Sequence, residues 1–385
     1  MDYVIQIEGN LTPFVFYNTI VKEMHEYFSK KQKSNIIFDF SKVKLIDALV
    51  LPNLLCTGFW ILRYCGKPAK IYVPGNLEFV PIRTFLNNTG FVQLAQLYGL
   101  FEFDPCISGG LKDNEYSESL NRIEVFQISY KENEDLEIDV EQTKSNAWEQ
   151  LKKTFVPFID EFLKYSTDPY ILKNKLQISR ALLSFNRELI ENALFHGQSF
   201  CFVAMQYTSS YRKQIKLSIA DCGIGFKKSL NLDRSRSIEI QNLRQRLETY
   251  PYDNEKAVTE LQIEQVQHEC YPLRDEDILR LAQQPHLETE LEGIIYGLLS
   301  RKSKPYGLYN IHRIIRAMGG TIRIHSNDTQ LILSERTGLL LEVCNSPDQL
   351  VSILGEQYPS NIRTGLRFMG THIEMDIMLD KSREG

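Results

Sequence analysis

Residues 105–121 read PCISGGLKDNEYSESLN. A Gly-Gly pair followed by Asp, Asn and Ser, with few apolar residues, suits neither a buried strand nor an amphipathic helix, so the chain divides there. The expected organisation is a domain over 1–105, a linker over 106–120 and a second domain over 121–385. A length of 385 residues fits this, at roughly 100–200 residues per domain.

Before the break, strand and helix signals alternate. Val4–Ile7 reads as a strand, and Phe14–Lys30 carries apolar residues at helical spacing. NIIFDF at 35–40 reads as a buried strand, and Lys70–Val73 as another, ended by Pro74-Gly75-Asn76. Asp47 is placed to cap the apolar segment that follows, with Pro52 confined to its first turn. A further helix is predicted over Val80–Asn87. Strands separated by helices predict a small α/β domain.

After the break, Ile123–Ser129 reads as a strand, and Trp148–Tyr165 and Leu176–Phe195 as long amphipathic helices. Cys201–Tyr207 and Gln214–Ala220 read as strands; in the second, Ile215, Leu217 and Ile219 alternate with Lys216 and Ser218. A helix over Tyr309–Met318 is predicted to stop at Gly319-Gly320. Thr321–His325, Leu339–Val343 and Thr371–Leu379 are expected to be the closing strands. Residues 231–303 form a mostly polar helical insert.

Composition narrows the function classes. Lys and Arg number 44 against 49 Asp and Glu, a net charge of −5, which argues against nucleic-acid binding as the main role. The run Ala48–Leu62 is interrupted by Pro52, Asn53 and Thr57 and is shorter than the ~20 residues of a membrane span. The start, MDYVIQIEGN, lacks a signal-peptide pattern. Seven scattered cysteines without a CxxC pair read as buried thiols of a reducing compartment. A cytoplasmic protein without a membrane segment is the expectation.

Four short motifs carry candidate chemistry. In ELIENALFHG (188–197), Glu188, Asn192 and His196 stand at i, i+4 and i+8 and share a helix face. An amide oxygen there can ligate Mg²⁺, and a carboxylate one turn earlier can orient or deprotonate a water; a merely solvated helix face is the alternative. DCGIGF (221–226) follows a strand directly. Gly223 and Gly225 permit close approach of a ligand, and Asp221 can accept from an exocyclic amine such as that of adenine; a plain strand-to-turn junction is the alternative. SKPYGLYNI (303–311) opens a helix at a glycine, where N–H groups favour phosphate and Lys304 adds charge, or is an ordinary loop-to-helix junction. GLRFMGT (365–371) precedes the last strand and by itself reads as a turn.

Taken in order, Glu-x-x-x-Asn on a helix, Asp-x-Gly-x-Gly after a strand, Gly-Leu opening a helix and Gly-Thr starting a final strand resemble the GHKL ATPase superfamily. Gyrase, Hsp90, MutL, histidine kinases and anti-sigma-factor kinases belong to it. The resemblance covers 120–385 and implies a Bergerat-fold α/β sandwich, with helices on one face of a mixed, largely antiparallel sheet, that binds ATP with Mg²⁺. It implies that Asn192 holds Mg²⁺, Glu188 is the general base, and Asp221 recognises the adenine amine. It further implies that Gly223 and Gly225 shape the pocket and that Gly307 and Leu308, with Lys304, close on phosphate. It also implies that Thr371 supports the adenine through water, with Gly370 beside it among the nucleotide-binding positions, and that His196 follows the asparagine as in the anti-sigma kinases. One departure is Pro305, where many members carry glycine; proline fixes φ and lacks an N–H.

The N-terminal region resembles a STAS domain through NIIFDFSKVKLIDALVLPNLL and the following AKIYVP strand. Regulated members carry a phosphorylatable serine after the aspartate; here Ala48 and Leu49 follow Asp47. The expected function is a bacterial-type Mg-ATP-dependent switch ATPase that signals to a protein partner through the STAS-like domain or the insert. A homodimer is a further expectation, as is retention of ATP binding after removal of 1–105. The rivals are a serine/threonine protein kinase using the same Glu188 and a binding-only scaffold disabled at Pro305.

Overall fold

The computed structural model describes residues 2–31, 34–108, 121–126, 140–164, 169–196, 199–208, 214–249, 259–268, 273–299, 319–344 and 346–378. Strands β1 (Tyr3–Leu11), β2 (Ile36–Ile46), β3 (Ala69–Tyr72) and β4 (Phe101–Phe103) lie side by side in chain order, every pair parallel. Parallel neighbours need long crossovers, and helices supply them. Between β1 and β2 run α1 (Pro13–Val15), a π-helical stretch Phe16–Val21 and α2 (Lys22–Ser29). Helix α3 (Leu51–Cys65) links β2 to β3; α4 (Val80–Asn88) and α5 (Phe91–Leu97) link β3 to β4. Asp47 caps as expected: its Oδ1 accepts from the Leu49 amide at 3.1 Å, opening a 3₁₀ turn Ala48–Val50 that runs into α3 with Pro52 in the first turn. A helical turn α6 (Pro105–Ser108) follows β4, and Ile107 belongs to this first core, so the first residues of the expected linker are part of the N-terminal unit. Residues 109–120 lie outside the described residues.

The second unit is a seven-stranded sheet in the order β10-β9-β8-β11-β7-β6-β5, with all pairs antiparallel. These strands are β5 (Asn121–Phe126), β6 (Cys201–Thr208), β7 (Gln214–Asp221), β8 (Gly320–Ser326), β9 (Thr329–Ser334), β10 (Ile362–Thr364) and β11 (Thr371–Met378). One face carries Val203, Met205, Ile215, Leu217, Ile219, Ile322, Ile324, Ile373, Met375 and Ile377. They share a core with helices α7 (Val140–Lys164) and α8 (Pro169–Glu191). The insert folds as α9 (Phe226–Thr249), α10 (Glu260–His268), α11 (Asp275–Gln283) and α12 (Glu290–Leu299). It has a small core of its own around Ile240, Ile263 and Ile278, while α12 joins the main core through Ile294, Ile295 and Leu298.

The opposite face of this sheet is not open to solvent. Phe202, Ala204, Ala220, Cys222 and Phe368 belong to the same core as the N-terminal unit. Phe368 packs edge-on against Phe16 and Trp60, and Phe59 against Phe200. Ala48 and Leu49, at the expected regulatory position, are buried. Helix α3 is therefore the interior wall between two sheets. The segment Ala48–Cys65 is long and apolar enough to cross a membrane by composition, but 67% of it is buried within this fold.

Two expectations are corrected. Leu339–Val343 belongs to a helix, Glu335–Val343, and not to a strand; the Ser334 amide donates to Thr337 Oγ1 at 2.7 Å and starts the helix just before a run that fits either state. The strand that pairs there is β9, one segment earlier. The cysteines are not all buried either: Cys56, Cys201, Cys222 and Cys344 are, Cys65 is half-buried and Cys106 is exposed. The helix expected over Tyr309–Met318 lies outside the described residues.

Candidate functional site

Strand β7 alternates strictly up to its last residue. Ile215, Leu217 and Ile219 face the helices, so Asp221 ends the strand on that same side, while Lys216, Ser218 and Ala220 face the N-terminal unit. Asp221 is buried, 4% exposed. Its Oδ1 accepts two backbone amides, from Gly223 at 2.7 Å and from Thr371 at 3.2 Å. The first bond closes the glycine turn. The second ties that turn to the start of β11, so two motifs separated by 150 residues meet on one carboxylate. Both bonds fall on Oδ1, leaving Oδ2 to accept from a ligand. Burial pushes the carboxyl up to about 7, against the lowering effect of the two amides.

Gly370 and Gly225 are required by geometry. Gly370 has φ +89°, and a Cβ there would stand 1.9 Å from the Asp221 backbone oxygen. Gly225 has φ +80°, and its Cβ would meet the side chains of Asn327, Glu290 and Ser326. Those three form a clasp. Ser326 Oγ donates to Glu290 Oε1 at 2.5 Å, the Lys227 amide donates to the same oxygen at 3.2 Å, and Asn327 Nδ2 donates to the Ile224 carbonyl at 3.0 Å. The clasp fastens α12 and the first turn of α9 to the end of β8.

Helix α8 gives up regular geometry at the expected motif. After Glu191 the chain continues as a π-helical segment, Asn192–His196. Such wide turns recur at functional sites because they re-aim side chains without ending the helix. Leu189, Ala193 and Phe195 are buried in the core shared with Ile219, as their apolar spacing predicts, while Glu188 and Asn192 are half-buried. An amide oxygen and a carboxylate on one helix face suit a hard cation, so the donor chemistry fits Mg²⁺. Lys304, Pro305, Gly307 and Leu308 lie outside the described residues.

Sequence reasoning missed the groups behind this site. His372 and Glu374, both fully buried, face α3 rather than water. Asn53 Nδ2 donates to Glu374 Oε1 at 2.6 Å, Tyr17 Oη donates to the same oxygen at 3.0 Å, and Asn53 Oδ1 lies 3.0 Å from His372 Nδ1. Lys216 Nζ pairs with Asp47 Oδ2 at 2.5 Å across the same boundary. In sequence, THIEMDIM is indistinguishable from a strand with one wet face. The only hint was Asn53 and Thr57 inside an otherwise apolar helix. A separate cleft of about 790 Å³ opens in the N-terminal unit beside Gly9, Ser41–Lys44, Phe79, Pro81 and Ile82, and it contains none of the candidate nucleotide-site residues.

Comparison of the chain with protein-family models, with curated proteins and with solved structures returned no match.

Proposed function

We propose that this protein binds Mg-ATP in the manner of the GHKL superfamily, through a Bergerat-type domain over 121–385 with a STAS-like domain over 1–105, and acts as an ATPase switch. The observation that carries the reading is the Asp221 carboxylate, buried at the end of β7 on the helix side and bonded on one oxygen to the amides of both Gly223 and Thr371. An adenine amine is the complementary donor for the other oxygen. Guanine offers a carbonyl at that point and leaves the carboxylate facing an acceptor, at a cost of ~1–3 kcal/mol.

Glu188 and Asn192 complete the assignment. Asn192 would hold Mg²⁺, which when bound neutralises charge on the β- and γ-phosphates. Glu188 orients a water toward the γ-phosphate and takes its proton as the new O–P bond forms and the bond to the β–γ bridging oxygen breaks, with ADP as the leaving group. Gly307, Leu308 and Lys304 are the proposed phosphate contacts. His196 follows the asparagine as in the anti-sigma kinases. The buried Ala48 at the STAS-like regulatory position supports a domain that works by contact and not by phosphorylation there.

Calorimetric titration tests binding. ATP should bind at least about tenfold tighter than GTP, and Asp221→Asn should weaken ATP by a similar factor. Equal affinity for the two nucleotides sinks the assignment. Phosphate release tests chemistry: Glu188→Ala should lower turnover by roughly 10²–10⁴ with ATP affinity retained, and Asn192→Ala should lower both. Label from γ-labelled ATP appearing on a protein in place of free phosphate selects the kinase rival; tight binding without turnover selects the scaffold.

A further inference from the structure

The buried group between α3 and β11 contains more hydrogen-bond acceptors than a neutral histidine can serve. His372 Nδ1 faces Asn53 Oδ1 at 3.0 Å, and His372 Nε2 faces the Met369 carbonyl at 3.1 Å. Both partners are acceptors, and a neutral imidazole has one N–H. Both contacts, together with the close contact between Asn53 and Glu374, are satisfied only if an extra proton is present. It can sit on the imidazole, with Glu374 ionised and receiving Asn53 Nδ2. Alternatively it sits on Glu374, whose O–H then donates to Asn53 Oδ1 after the amide turns over, so that Asn53 Nδ2 donates to His372 Nδ1. In each arrangement Nε2–H still holds Met369. The two differ by one proton moved from carboxyl to imidazole and one amide rotation, with no change in total charge. Loss of that proton to solvent sets two acceptors face to face, Asn53 Oδ1 against His372 Nδ1 or, with the amide turned over, against Glu374 Oε1, so the link from the imidazole through Asn53 to Glu374 fails.

The imidazole held by this link carries the Met369 carbonyl on its other nitrogen, and Met369 leads to the candidate nucleotide site. Met369 precedes Gly370, and Thr371 supplies the amide that holds Asp221. We propose that Asn53, His372 and Glu374 share one proton and that this relay, anchored on the N-terminal unit, positions the Thr371 amide against Asp221; Asn53 is a positioning residue. The consequence for nucleotide rests on the reading of Asp221 given above, but the relay itself does not.

The surroundings favour a single retained proton. Glu374 Oε2 is buried with no partner, which disfavours the bare carboxylate. Burial pushes the Glu374 carboxyl up to about 7 and holds His372 well below its usual range. The charged and titratable neighbours are Tyr17 from the segment before α2, Asp47 before α3, and Arg323 and His325 on β8. On β7 and β11, Lys216 pairs with Asp47 and stands opposite Asp376. Arg323, directly opposite Glu374, favours its ionised form and keeps the proton exchangeable.

The test is amide hydrogen exchange on the full chain without nucleotide, corrected for intrinsic rates, at pH 6 and pH 8.5, beside ATP titrations. Wild type should show exchange at Thr371 and Gly223 accelerating about tenfold or more at the higher pH. Glu374→Gln, whose amide donates permanently, should remove the acceleration and leave only the slowing that ionisation of Asp221, the acceptor of both amides, brings through about 7, and Asn53→Ala should exchange fast at both values. A uniform rise along all of β11 would mark a merely structural effect and overturn the proposal. So would a Thr371 response in Glu374→Gln equal to wild type, which decides the matter even if Asn53→Ala fails to fold. ATP binding that ignores an intact exchange response refutes the coupling to nucleotide; exchange coupling without any ATP binding refutes the Asp221 reading and leaves the relay standing.

Discussion

Asp221 is buried at the end of β7 and accepts two backbone amides on one of its oxygens. Its carboxyl, unperturbed at ~3.9 in an unfolded chain, is raised to about 7 in the fold. Between those values the folded protein keeps a proton that the unfolded chain has lost. The group's contribution to stability is therefore full below pH ~4 and is lost as pH rises through 7. Glu374, also raised to about 7, acts with the same sign. Denaturant midpoints should fall between pH 5 and pH 8, and Asp221→Asn should remove part of that fall. The proposed adenine recognition runs the other way, because the ionised carboxylate accepts from an amine more strongly than the protonated acid does. In the Glu374→Gln background, which isolates this titration, ATP affinity should rise up to about tenfold per pH unit below 7 and level off above it. A flat calorimetric profile from pH 5.5 to 8.5 contradicts the role of Asp221. The residue itself was legible in the sequence, since a strand of strict alternation ends on it and glycines follow. Its tie to Thr371 was not, because no local pattern encodes a contact across 150 residues.

At the scale of elements, the two glycine turns are where backbone geometry leaves least room. A methyl group at Gly370 would collide with a main-chain oxygen that cannot swing aside, at a φ that L residues avoid. At Gly225 the obstructing atoms belong to the side chains of Asn327, Glu290 and Ser326, which can move if their clasp loosens. Gly370→Ala should therefore cost more stability than Gly225→Ala, above about 2 kcal/mol against roughly 1–2 kcal/mol, by urea unfolding. The reverse order would mean that β11 tolerates displacement at its start. Most elements could be read from apolar spacing: β1, β2, α3, α8, β6, β7 and β11 all fall where their patterns put them. The failure at Leu339–Val343 has a physical cause, since a short apolar run satisfies a strand and a buried helix equally well and the capping Ser334 decides between them. The π-helical turn at Asn192–His196 was equally invisible, because widening a turn by one residue leaves the spacing of Glu188 and Asn192 almost unchanged.

For the whole molecule, the glycine-rich break in sequence suggests two separable modules, and the packing argues otherwise. The polar residues of β11 and β7, which on pattern alone belong in water, are the floor on which the N-terminal unit sits. Removing residues 1–105 would expose Phe202, Phe368 and their neighbours and strip the partners from Glu374, His372 and Lys216. Apolar burial is worth ~25 cal/mol per Å², and an unpaired buried carboxyl adds a penalty of its own. The fragment 121–385 should therefore aggregate or bind hydrophobic dyes, not fold into an ATP-binding domain as the sequence alone led one to expect. By the same argument the intact chain should unfold in one calorimetric transition spanning both sheets. Leu49→Asp provides the control, since it sets a charge into the seam between the 3₁₀ turn and strands β6 and β7 without touching either sheet's own core. It should split that transition into two. A fragment that folds and binds ATP, or a wild-type chain that already melts in two steps, would show that the seam is a docking contact and not a shared core.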